Sequence, residues 1–162
     1  DPERALPRIL SAQGDGKSPD AAAAEAREAL KQGVGAFVGP DLDIFVPTVS
    51  EPRLEAASLG ADPDAVSGPG LDDANQLAKA RLMALARDFP GAGLAVKTEE
   101  GIWHIPADQM DALANAMQPF KSAMDAGIPG IVVGQMAIPG IDVDRPKRPA
   151  ALSPKLLKLL VR

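Results

Sequence analysis

The stretch DAGIPGIVVGQMAIPGIDVDRP, from Asp125 to Pro146, decides the fold class. Its centre, Gly130 to Gln135, is a short apolar run rich in β-branched residues and bounded by turn formers, the pattern of a strand buried in a parallel sheet. Just upstream, Pro106 to Ala126 carries Met110, Leu113, Met117, Phe120 and Met124 at spacings of three and four, the apolar stripe of a helix. Pro119 within it bends or divides that helix. Downstream, Ser153-Pro154 opens a last helix expected to bury Leu156, Leu157, Leu159 and Leu160. Towards the N-terminus, Arg87-Asp88-Phe89-Pro90-Gly91-Ala92-Gly93 ends another strand, and its Pro and Gly residues set a tight turn. Strands are read at Arg8 to Ala12, Asp43 to Val49, Leu82 to Asp88 and Gly130 to Gln135. Helices alternate with them, which gives an α/β class with βα units and mostly parallel strands.

The remaining segments fit that alternation. Ser18-Pro19-Asp20 starts a helix running to about Gln32, with Gly33 as its stop and with Leu30 and the alanines facing the sheet. Gly33 to Pro40 lacks both the G-x-G-x-x-G spacing and a Lys-Ser or Lys-Thr, so it reads as a helix-to-strand loop rather than a phosphate cradle. Ser50 to Gly70 is loop-rich, and Gly68-Pro69-Gly70 is expected to interrupt any helix there. Leu71 to Ala80 regains helical spacing with Asp72 or Asp73 as its cap. No internal repeat or composition break divides the chain, so residues 1–162 form one domain.

Composition narrows the function classes. The net charge of -5 speaks against a nucleic-acid surface, which needs clustered Lys and Arg. The one basic group is Arg145, Lys147, Arg148, Lys155 and Lys158; its ordinary reading is a solvated face, and an anionic partner or a peripheral membrane contact is compatible with it. No apolar run reaches the roughly 20 residues of a membrane span. Zero cysteines remove disulfides and thiolate metal sites without choosing a compartment. The start at Asp1 rather than Met is that of a processed or trimmed chain, which favours an extracytoplasmic over a cytoplasmic location.

The motifs taken together resemble the N-terminal domain of the family 3 glycoside hydrolases, the bacterial β-N-acetylglucosaminidases in particular. There a strand ends in K-H-F-P-G-H-G, a later one reads D-A-G-x-x-x-V-M-x-x-H-x-x-x-P-x-L-D, and the next helix opens at L-S-P. Leu42 to Val49 (LDIFVPTV) is similar to the family's L-D-F-A-P-V strand, and Pro7 to Gly16 is weakly similar to its first strand. The family's complete barrel typically needs about 250 residues, so the resemblance implies a partial or incomplete (β/α) barrel for this chain of 162.

Against that backbone match, the polar residues differ. Where the family's Lys and His hold substrate hydroxyls, this chain has Arg87 and Asp88, and the motif's second His is Ala92. Gln135 stands where the later strand delivers a His. Ala57, in Ala57-Ser58-Leu59-Gly60-Ala61-Asp62-Pro63, replaces the Arg of the family's R-S-F-G-S-D-P. The Asp-Ser-His loop that supplies the family's acid/base falls near Lys97, Thr98, Glu99 and Glu100, with the single histidine, His104, a few residues late. The resemblance puts the nucleophilic Asp on a strand beyond the L-S-P helix, past Arg162.

A retaining glycosidase needs a nucleophilic carboxylate and a proton donor flanking one bond, and no matching position offers either. Asp88, Glu99 and Glu100 are the carboxylates that the resemblance sets near the former active face; solvated loop acids are their default reading. Trp103 and His104 form either a sugar-stacking pair or, more ordinarily, packing for the following helix. One His and scattered acids provide no metal-ligand spacing, and no cofactor motif occurs. The expectation is a pseudoenzyme with no catalytic, substrate-binding or metal residues, working beside other protein subunits. Its docking surface would be an exposed sheet edge or the helix Pro154 to Val161. The alternative is a carbohydrate-binding or weakly active hydrolase.

Overall fold

The computed structural model describes residues 8–11, 24, 27, 28, 30–46 and 59–161. Four strands, β1 (Arg8–Ser11), β2 (Val34–Asp41), β3 (Met83–Phe89) and β6 (Gly130–Val133), form one sheet, and each pairs in parallel with the next in that order. A two-residue hairpin, β4 (Val96–Lys97) against β5 (Trp103–His104), stands apart from it. The helices are α1 (Pro63–Lys79), α2 (Met110–Ala116), α3 (Gln118–Asp125) and α4 (Pro154–Leu160). Parallel strands laid side by side in chain order are the arrangement of consecutive strands in a (β/α) barrel. Among the described residues β1 and β6 are outer strands, so the sheet is an open part of such a barrel.

The second strand lies one segment earlier than expected. Val34 to Asp41, read as a loop from its glycines, is the paired strand, whereas Leu42 to Ile44 leave the ladder and bury themselves in the core; residues 47–49 lie outside the described residues. The glycines misled because two of them sit inside a strand rather than beside it. At Gly39 the register shifts, Val38 and Gly39 both facing Leu85, which is where a strand tolerates Gly followed by Pro. Gly33, at φ 82°, supplies the left-handed turn before the strand.

The helices also correct the reading at two places. Gly68-Pro69-Gly70 does not interrupt α1, which runs through Pro69 for 17 residues. Its cap is Asp62, accepting the Ala65 N–H at 2.8 Å, rather than Asp72 or Asp73. Gly70 has a packing role there: a Cβ would stand 2.4 Å from the Leu42 side chain, so the helix lies hard against the chain leaving β2. Residues 24, 27, 28, 30 and 31 are helical, as expected of the first helix, but Leu30 is 38% exposed instead of facing the sheet. Leu77 of α1 and Ala80 just after its end pack there, with Val34, Phe37, Leu82 and Ala84.

The stripe from Met110 onward divides at Met117, with Pro119 in the first turn of α3. A proline there lacks only an N–H that no helical carbonyl would have received. Leu113 and Phe120 are fully buried, and Phe120 meets Phe89 edge-on at 5.5 Å. Met110, Met117, Ile131 and Val133, expected to be buried, are half-buried against the same core. In α4 only Leu156 is buried; Leu157 and Leu160 are half-buried and Leu159 is exposed, because a helix of about two turns meets the core along one line.

The turn after β3 depends on Gly91, which adopts φ 138° and leaves no room for a Cβ, 2.9 Å from that of Ala116. Gly91→Ala is expected to lose about 1–3 kcal/mol of stability, read as a lowered urea midpoint, because left-handed strain and the clash both act there. An unchanged midpoint would show that the turn relaxes freely.

Candidate functional site

The C-terminal ends of β2 and β3 lie side by side, Asp41 opposite Arg87 in register and the Leu42 N–H on the Arg87 carbonyl at 2.7 Å. Asp41 and Asp43 leave the sheet two residues apart, a spacing that turns extended residues to one side. Asp43 is fully buried and accepts the Ala92 N–H on Oδ1 at 2.6 Å, while its own N–H donates to Asp41 Oδ1 at 3.0 Å. Arg87 donates to Asp88 Oδ2 from Nε at 2.8 Å and from Nη2. Carboxylate oxygens of Asp41, Asp43 and Asp88 come within 4.8 Å of one another.

Three acids around one guanidinium is an electrostatic arrangement with consequences. Burial pushes the Asp41 carboxyl up to about 6; Asp88 adds to this, and the Asp43 N–H and Arg87 only partly oppose it. Burial, then the Asp41 and Asp88 charges, pushes Asp43 well above the ordinary carboxylate range. Burial works against the Arg87 charge, yet its hydrogen bonds to Asp88 and the neighbouring acids leave it raised. Burial and like charge thus both favour the protonated form of this carboxyl pair. Three carboxylates are also a donor set of the kind hard cations prefer, although Arg87 already supplies positive charge there.

The expected site residues divide into those brought together and those left apart. Arg87, Asp88 and Ala92 meet here, but Arg87 and Asp88 satisfy each other and Ala92 offers only its backbone N–H. Gln135 is exposed just beyond β6. Ala57 lies outside the described residues. Glu99 and Glu100 are exposed in the β4–β5 turn, where Glu100 pairs with Lys147, while Asp88 pairs with Arg87. Trp103 packs against the core with the Lys97 ammonium 5.8 Å from its ring, which favours packing over sugar stacking. His104 is half-buried in β5, bridged to Ala137. Asp41 and Asp43 are what sequence reading missed; the signal was the D-x-D spacing where β2 ends, which lay across the misplaced strand boundary.

Solved structures share this fold over about nine tenths of the chain. NagZ from Neisseria gonorrhoeae, in complex with N-trifluoroacetyl-D-glucosamine, is 22% identical with a TM-score of 0.73, covering 89% of this chain and 41% of NagZ. LpqI of M. tuberculosis is 24% identical at TM-score 0.72, covering 88% and 40%. A glycosyl hydrolase of the GH3 family from Mycobacterium smegmatis is 25% identical at TM-score 0.72, covering 88% and 42%. The chain thus spans about two fifths of these proteins' length. No curated protein sequence matches significantly. The profile of the glycosyl hydrolase family 3 N terminal domain matches residues 9–162, and with the parallel sheet and the turn after β3 this makes the chain a member of that family.

Proposed function

We propose that this chain is a non-catalytic member of the family, a pseudoenzyme that serves as a structural or interaction subunit of a larger protein assembly. The observation that carries this reading is the Arg87–Asp88 ion pair, both side chains only about a fifth exposed. At the strand end where the resemblance implies sugar-binding Lys and His, the two side chains are committed to each other. The acids beside them are buried, Asp43 completely, and a carboxylate enclosed by protein cannot flank a scissile bond as retaining chemistry requires. The exposed acids Glu99 and Glu100 belong to a different turn.

The reading is tested with aryl β-N-acetylglucosaminides. Hydrolysis by this chain is expected at the rate of a buffer blank, and Asp88→His combined with Ala92→His is expected not to raise it. Turnover near 1 per second, the slow end of ordinary enzymes, would overturn the reading. Mass spectrometry of native complexes tests the assembly role, where stable co-purifying protein subunits are expected. A monomer that binds chitin-type oligosaccharides instead would establish the carbohydrate-binding alternative.

A further inference from the structure

Between the loop that follows β6 and the start of α4 lies an open concavity of about 700 Å³, lined by Arg145, Pro146, Lys147, Arg148, Leu152 and Pro154. Three of those six residues are cationic and none is acidic, in a chain whose net charge is -5. The other three are apolar, and Leu152 is 67% exposed. Cationic walls around an apolar floor suit a ligand that carries both characters.

The cations differ in how they are held. Arg148 Nη1 donates to Asp142 Oδ1 at 3.3 Å, and Asp142 is buried, so the guanidinium is anchored from beneath with most of its five N–H donors unused by that contact. Lys147 pairs with Glu100, both side chains about two thirds exposed, and water-exposed pairs of that kind hold weakly. Arg145 is exposed at the rim. The acids nearby are Asp142, committed to Arg148, Glu100, and Asp144 in the loop.

We propose that this concavity binds an organic anion, a phosphate or carboxylate group borne on an apolar body, with Arg145 and Lys147 gripping the anion, Arg148 forming a fixed wall and Leu152 meeting the apolar part. The inference is independent of whether the chain is catalytic. Glu100 acts as an internal competitor that the incoming anion displaces from Lys147.

The test is titration of the full chain, followed by calorimetry and amide chemical shifts, with inorganic phosphate, octyl phosphate below its micelle concentration, and neutral octyl glucoside. Octyl phosphate is expected to bind saturably and about tenfold more tightly than inorganic phosphate, since burying its chain adds to the charged contacts. Octyl glucoside is expected not to saturate. Arg145→Ala with Lys147→Ala should weaken octyl phosphate about tenfold or more, whereas Glu100→Gln should tighten it. Leu152→Ser should remove the octyl advantage and leave inorganic phosphate unaffected, a pattern that misfolding would not produce. Co-sedimentation with phosphatidylcholine vesicles containing phosphatidylglycerol distinguishes the sources: capture that the double variant loses assigns a lipid headgroup, and octyl phosphate binding without capture assigns a free anion. Failure of octyl phosphate to saturate, or equal binding by the double variant, overturns the proposal.

Discussion

Phe120→Ala is expected to lower the unfolding free energy by about 3–5 kcal/mol, the usual cost of truncating a buried aromatic ring. Phe120 is completely buried at the start of α3 and meets Phe89, the last residue of β3, edge-on with the ring planes at 85°. Removing it leaves a cavity where helix, strand end and the turn through Gly91 meet. The surroundings collapse poorly there, because Phe89 is fixed by the sheet on one side and by the turn on the other. For a domain of this length each kcal/mol corresponds to about 2–4 °C in Tm, so the loss should show both in urea midpoints and as a fall of roughly 6–20 °C in melting. Phe89→Ala should cost as much, and the double variant should fall short of the sum by about 0.5–1.5 kcal/mol, the coupling of an edge-on ring pair. Full additivity would show that each ring is held by other neighbours.

Those two rings belong to the part of the fold that the sequence made legible. Leu113 and Phe120 follow from helical periodicity, and Pro119 marks the break that falls at Met117. The turn from Pro90 to Gly93 follows from backbone need alone, and Gly91 at φ 138° bears it out. Misreadings arose where a local signal met a stronger tertiary one. Gly35, Gly39 and Pro40 look like a loop, yet the sheet accepts them because the register shift at Gly39 absorbs the irregularity. Gly68-Pro69-Gly70 looks like a break, yet close packing of Gly70 on Leu42 makes the glycine a requirement of the helix's position.

The site shows the same division more sharply. Arg87, Asp88 and Ala92 sit in one continuous motif, so their juxtaposition could be expected from a turn. Asp41 and Asp43 join Asp88 only through strand pairing across more than 40 residues of chain, and no local spacing encodes that meeting. Sequence reading treated Asp43 as the start of a strand. Its burial, and its bond to the Ala92 N–H, depend on the chain leaving the sheet at that point.

The buried acids make stability depend on pH in an unusual direction. Asp41 has its folded-state pKa raised from 3.8 to about 6, so the folded state favours its protonated form. Its full contribution to stability is present below about pH 4 and is lost as pH rises through about 6, worth about 3 kcal/mol at roughly 1.4 kcal/mol per unit. Asp43 is shifted the same way. Asp41→Asn should therefore stabilise the chain at pH 7.5 by about 1–3 kcal/mol, since Asn Oδ1 can still accept the Asp43 N–H while the charge disappears. At pH 4, where Asp41 is already protonated, the same substitution should be nearly neutral. Urea unfolding of both proteins at pH 4, 6 and 7.5 measures this: the two curves should converge at low pH and separate through pH 6. Curves that stay parallel across the range would mean that Asp41 is ionised throughout and that Arg87 compensates it fully.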